Sequence, residues 1–176
     1  MLIMSNKEEL FKATRWIAND TLREWTEGKL DHVPEYFWNI AASTSGKYHP
    51  AYSQGEGGLV RHTRAVVFFV LELSPAWELT EKELDIAISA AVLHDSWKCG
   101  KDGKHTVNDH PDIAAEFARE DSKEGSTRWK VADLILTHMG KWHTHPPKTN
   151  LQLFLHTCDY FASRKLIHIP IDDIKC

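Results

Sequence analysis

His94 and Asp95 stand side by side where the apolar run ending in Val92-Leu93 gives way to a loop rich in Gly, Lys and Asp. An imidazole nitrogen is a borderline ligand and a carboxylate oxygen a hard one, so such neighbours at a helix end could grip one transition-metal ion or share a pair. Further candidates fall on or next to expected helices between positions 62 and 159: His62, His110, His138 and Asp159. A two-metal hydrolytic site needs roughly three ligands per ion, a shared carboxylate to hold the ions about 4 Å apart, and open positions for water and substrate oxygens. The set His62, His94, Asp95, His110, His138 and Asp159 meets that need, with Asp95 as the candidate bridge. Its nitrogen content favours Fe, Mn, Co, Ni or Zn over Ca or Mg, so two divalent transition-metal ions are the expected cofactors. With 11 histidines in the chain, His143 and His145 are rival ligands or neighbours on a nearby loop.

Helices must position these residues. A first helix is expected from about Ser5, as cap, to Glu27, with Gly28 ending it, and a second from Pro34 through Ala42. Ser43 to Gly58 reads as a loop whose glycines allow close backbone approach, and it could line a site. Leu59 to Leu73 is apolar on most sides, as a central helix would be, with His62 in its first turn. Thr80 and Glu83 form a capping-box pattern for a helix running through Leu84 to Leu93 into His94-Asp95. Asp109 is the expected cap of a helix from His110-Pro111 to about Glu120. Another spans Ser126 to Met139, stopped by Gly140, and the last runs from Thr149 to Lys165. No strand or repeat is expected, so the fold class is all-α, a compact bundle of about six or seven helices.

At 176 residues, with 42% hydrophobic and 26% charged residues, the chain is expected to form one domain, 1–176. A net charge of −4 offers no general attraction to nucleic acid or anionic membrane, so any phosphate must be held locally. The cysteines Cys99, Cys158 and Cys176 are too scattered for a disulfide framework or CxxC zinc site, and Cys99 and Cys158 are expected as small buried thiols. A reducing, cytoplasmic setting is expected, with neither a signal peptide nor a membrane span expected.

Order and local context together resemble the HD-domain superfamily of metal-dependent phosphohydrolases in its six-ligand, two-metal form. Gly57-Gly58-Leu59-Val60-Arg61-His62-Thr63 looks like that family's Gly-Gly-Leu-x-x-His-Thr helix start. His94-Asp95-Ser96-Trp97-Lys98 looks like its His-Asp-x-Gly-Lys motif, with Trp97 where the family has Gly. His110-Pro111, His138-Met139-Gly140 and Cys158-Asp159-Tyr160 are similar to its later segments, and Tyr48-His49-Pro50-Ala51-Tyr52 resembles HD-domain 3′ to 5′ exoribonucleases. The resemblance covers about 48–164, leaving the helices within 5–42 to complete the core.

The resemblance implies a phosphohydrolase that cleaves a phosphomonoester or phosphodiester of a nucleotide or short oligonucleotide with metal-activated water. Asp95 and Lys98 are then the catalytic candidates. Lys98, Arg61, Arg64 and Arg164 are candidates for phosphate contacts, and Trp142, Tyr48 and Tyr52 for stacking a base. The implied partner is a small phosphate ester, a nucleotide or the end of a single strand, with no membrane. Two other functions fit the same residues: a mixed-valence di-iron oxygenase, and a non-catalytic nucleotide-binding module.

Overall fold

The computed structural model describes residues 6–44, 46, 49–167 and 169. Ser5, Tyr48 and Cys176 lie outside them. Seven α-helices and no strand occur among the described residues, an all-helical bundle as the sequence predicts. The helices are α1 (Asn6–Ala13), α2 (Asp20–Leu30), α3 (Gly58–Leu73), α4 (Glu81–Leu93), α5 (His110–Arg119), α6 (Thr127–Thr137) and α7 (Asn150–Ala162). None is long and apolar enough to cross a membrane.

Helices α3 and α4 form the middle of the bundle. Leu59, Val60, Ala65, Val66, Val67 and Val70 of α3 are buried, as is every residue of α4 from Asp85 to Leu93. The small side chains Ala87, Ser89, Ala90 and Ala91 let α2, α3, α6 and α7 all approach α4. Helix α5 packs chiefly on α6, and α1 on α3. The Thr80 and Glu83 capping box is present at the start of α4, and Thr149 with Gln152 forms a second at α7.

The single helix expected over Ser5 to Glu27 is broken. A short 3₁₀ turn, Thr14–Trp16, follows α1, and the chain then extends before Asn19 caps α2 by accepting the Leu22 N–H. Asp85 of α4 explains the break: its buried carboxylate accepts the Ala18 N–H at 2.7 Å and the Asn19 N–H at 3.0 Å. A continuous helix would direct those donors at its own carbonyls instead. Gly28 does not end α2, which continues to Leu30.

The expected Pro34–Ala42 helix is only a 3₁₀ turn, Glu35–Trp38. Beyond it the Asn39 and Ile40 carbonyls accept the Gly57 and Leu59 N–H groups at 3.1 and 2.9 Å. These bonds occupy donors that the start of α3 would otherwise leave open. The same junction explains Gly57-Gly58. Gly57 has φ +67°, and a Cβ on Gly58 would sit 2.3 Å from the Ser53 carbonyl oxygen. Asp109 precedes α5 but makes no side-chain capping bond, its backbone having left the extended region that capping requires. Helix α7 ends at Ala162, three residues short of Lys165.

Candidate metal centre

Five helices deliver six side chains to one point. His62 lies in the second turn of α3, His94 and His138 are the C-terminal caps of α4 and α6, His110 opens α5, and Asp159 projects from α7. Asp95 follows His94 into the turn after α4. All are buried except Asp159, whose side chain retains 15% exposure.

The Asp95 carboxylate divides the cluster. Its Oδ1 faces His110 Nε2 at 3.1 Å and His138 Nε2 at 3.4 Å. Its Oδ2 faces His94 Nε2 at 3.4 Å and His62 Nε2 at 3.8 Å, and it accepts a 2.8 Å bond from Lys98 Nζ. Asp159 Oδ1 completes the second side, 3.0 Å from His62 Nε2 and 3.7 Å from His94 Nε2. His62, His94 and Asp95 therefore form one group that could hold an ion, Asp95, His110 and His138 another, and His94, His138 and Asp159 a third overlapping both.

Backbone carbonyls orient the rings. His94, His110 and His138 each direct Nδ1 at the carbonyl three residues earlier, Ala91, Val107 and Ile135, at 2.7 Å. A carbonyl can only accept, so each Nδ1 carries a proton and each ring in its neutral form turns a bare Nε2 lone pair inward, the outer-shell arrangement of metal-binding histidines. The result does not satisfy itself. Asp95 Oδ1 and His94 Nε2 are buried without a hydrogen-bond partner, and His110 Nε2 faces His138 Nε2 at 3.3 Å. In neutral rings those lone pairs repel, and cations held among them would remove both the repulsion and the unmet polar atoms. The residues present fit metal ions on these grounds.

The electrostatics agree. Burial pushes His138 down to about 4, so it is a neutral donor at pH 7. Burial alone would raise Asp95 and Asp159, but Lys98 and His94 around the first, and the His62 hydrogen bond to the second, hold both well below the usual carboxylate range. For His94 burial is again opposed, here by Asp95, and the net shift is upward. A proton and a metal ion compete for the same nitrogen there.

A cavity of about 430 Å³ opens onto the cluster, lined among others by His49, Lys98, Asn108, Trp142, Tyr160 and Arg164. A larger depression of about 750 Å³, between the start of α2 and the start of α4, contains none of the six residues. Of the three arginines considered for phosphate contacts, Arg164 alone lines the cavity, its guanidinium 4.4 Å over the Tyr160 ring. Arg61 instead donates to the Tyr52 and Gln54 carbonyls, and Arg64 pairs with Glu9 at 2.9 Å, tying α3 to α1. Tyr52 donates its hydroxyl to the Ala162 carbonyl, which commits it to holding the loop against α7. Trp142, 54% exposed, stacks on Tyr160 with ring centroids 5.8 Å apart and planes 7° from parallel. His143 and His145 lie against Asp112, outside the six-residue cluster. Cys99 and Cys158 are buried free thiols, and burial raises both.

Two neighbours of the site carried no assigned role in the sequence reading. His49 lies 5.5 Å from the His62 ring, and burial, then His62, lowers it to about 4. Its position in the glycine-rich loop and in the Tyr-His-Pro-Ala-Tyr segment was the available signal. His156 places Nδ1 2.6 Å from the His138 carbonyl and reaches it because Gly140, at φ +59°, has no Cβ to strike the ring. No local pattern marks that contact.

The HD-domain family profile matches residues 59–164, more than half of the chain. The chain belongs to the HD-domain family. The match spans all six residues of the cluster, and it identifies the class broadly as metal-dependent phosphohydrolases. No curated protein and no solved structure matches the chain.

Proposed function

We propose that this HD domain is a binuclear metal-dependent phosphohydrolase that cleaves a nucleotide phosphomonoester or phosphodiester. The observation that carries the reading is the division of Asp95, one oxygen toward His110 and His138 and the other toward His62, His94 and, beyond them, Asp159. A carboxylate so placed can bridge two ions. His62, His94, Asp95 and Asp159 would hold one ion, and Asp95, His110 and His138 the other. Bound there, the ions would supply Lewis acidity and a water made acidic enough to attack at neutral pH.

The chain's own groups do the rest. Backbone carbonyls hold the His94, His110 and His138 imidazoles in place, which limits the reorganisation needed when substrate arrives. Lys98 balances the charge of Asp95 and faces the cavity, where its ammonium can also meet a phosphoryl oxygen. Arg164 offers a second cation on the same wall. The Trp142–Tyr160 pair presents an aromatic wall suited to a nucleobase. His49, neutral at pH 7, can exchange a hydrogen bond with a leaving group.

The test is metal analysis joined to turnover. Protein purified anaerobically without chelator is assayed for iron, manganese, cobalt, nickel and zinc, then offered p-nitrophenyl phosphate, bis-p-nitrophenyl phosphate and nucleotide esters, with and without oxygen. At least two ions per chain with oxygen-independent phosphate release or diester cleavage is the expected result. Turnover that requires oxygen would identify an oxygenase instead, and absence of tight metal after reloading would leave a binding module.

A further inference from the structure

A second group of ligand-type side chains lies outside the centre. Asp112 stands in the first turn of α5, while His143 and His145 follow the 3₁₀ turn Gly140–Trp142. His143 is extended, with φ −131° and ψ 167°, and in an extended segment residues two apart face the same way. Both imidazoles accordingly meet one carboxylate. His143 Nε2 lies 2.8 Å from Asp112 Oδ2 and His145 Nδ1 3.6 Å from Asp112 Oδ1, with ring centroids 5.4 Å apart. One donor atom from each residue falls within a 4.8 Å set.

Three features distinguish the group from an ordinary surface ion pair. The His143 side chain is only 8% exposed, yet its Nδ1 has no hydrogen-bond partner. Asp112 and His145 are 42% and 47% exposed, so water can fill the remaining positions around an ion. The group borders a surface depression of about 500 Å³ to which Asp109 also contributes, its side chain making no capping bond, while Lys141, which lines it too, sits 5.2 Å over the Trp142 ring. Thr144 Oγ1 lies 3.1 Å from His145 Nδ1, an exposed contact that an ion taking that nitrogen would replace.

We propose that Asp112, His143 and His145 form a peripheral site for one divalent transition-metal ion, with zinc the best fit. Two imidazoles and a carboxylate with open positions suit zinc, and next cobalt or nickel, and suit magnesium and calcium poorly. The site joins the first turn of α5, two residues from His110, to the segment that follows Trp142. An ion there ties a wall of the cavity to a helix of the centre.

The experiment counts zinc on the full chain by competition with a chromophoric chelator, comparing wild type, Asp112→Asn and His145→Ala. The exposure of both positions makes the substitutions mild for folding, and circular dichroism of each variant checks this. The expected result is one fewer zinc per chain in each variant, with the remaining zinc bound as in wild type. Equal zinc counts and affinities in all three proteins would overturn the proposal. The two sites fail separately: loss of the variant-sensitive zinc concerns only the peripheral group, while the metal of any element that stays in Asp112→Asn reports on the central cluster alone.

Discussion

Replacing Asp95 with Asn should remove metal and destabilise the metal-free protein by separate routes. The amide keeps the shape of the carboxylate but loses its charge and presents a donor where an acceptor stood. Lys98 Nζ, bonded to Asp95 Oδ2 at 2.8 Å on a side chain only 10% exposed, is left as a buried cation without its counter-ion. Breaking such a buried pair from one side costs about 3–5 kcal/mol. With a urea m-value of about 2–3 kcal/mol/M, the midpoint of the metal-free protein should fall by roughly 1–2.5 M. Metal affinity suffers independently, because Asp95 faces four imidazole nitrogens at 3.1 to 3.8 Å. Loss of a supporting outer-shell group alone weakens metal sites about 10–100-fold, so loss of the bridge should exceed 100-fold and abolish turnover at micromolar metal. Elemental analysis and urea unfolding of chelator-treated protein read the two effects apart. Wild-type ion content in Asp95→Asn would refute the bridging role, and an unchanged metal-free midpoint would refute the importance of the Lys98 pair.

In metal-free protein, His49 is held near 4 against an ordinary 6.5. Below 6.5 the unfolded chain takes a proton that the folded chain refuses, so stability should fall by up to about 3 kcal/mol as the pH drops from 6.5 to 4. His49→Gln should flatten that part of the urea-midpoint profile, and matching profiles would count against the burial of His49. A methyl group on Gly58 meets the Ser53 carbonyl carbon at 2.6 Å as well as its oxygen, so Gly58→Ala should cost about 1–3 kcal/mol and lower the thermal midpoint; no change in that midpoint would contradict the tight junction. Trp142→Ala should raise KM for a nucleotide substrate by about tenfold, in line with about 1–3 kcal/mol per stacked base, and leave KM for p-nitrophenyl esters nearly unchanged. Equal effects on both substrates would argue that Trp142 supports the wall without touching a base.

What was legible beforehand is what depends on neighbours a few residues apart. Thr80 caps α4 because Glu83 is one turn away, and α3 reads as a central helix because its apolar residues surround the axis. The Gly57-Gly58 pair marked a backbone approach that the Ser53 carbonyl turns out to make. The six His and Asp residues could be named in order, since their chemical types and helix-end positions are written in the chain.

Partners distant in sequence decided the rest. The helical pattern before Glu27 is broken by a carboxylate at Asp85, more than sixty residues away, and the Pro34 segment stops because its carbonyls serve α3. Arg61, Arg64 and Arg164 were equivalent as residue types, and only the packing of helices sends two of them to loops and α1 and one to the cavity. Local spacing likewise could not assign His143 and His145 to Asp112, nor turn four Nε2 atoms toward the two oxygens of Asp95. Residue identity and short-range periodicity therefore determined which groups could do chemistry and which segments were helical. Tertiary structure determined where each lone pair points, because direction depends on how five helices meet around the core.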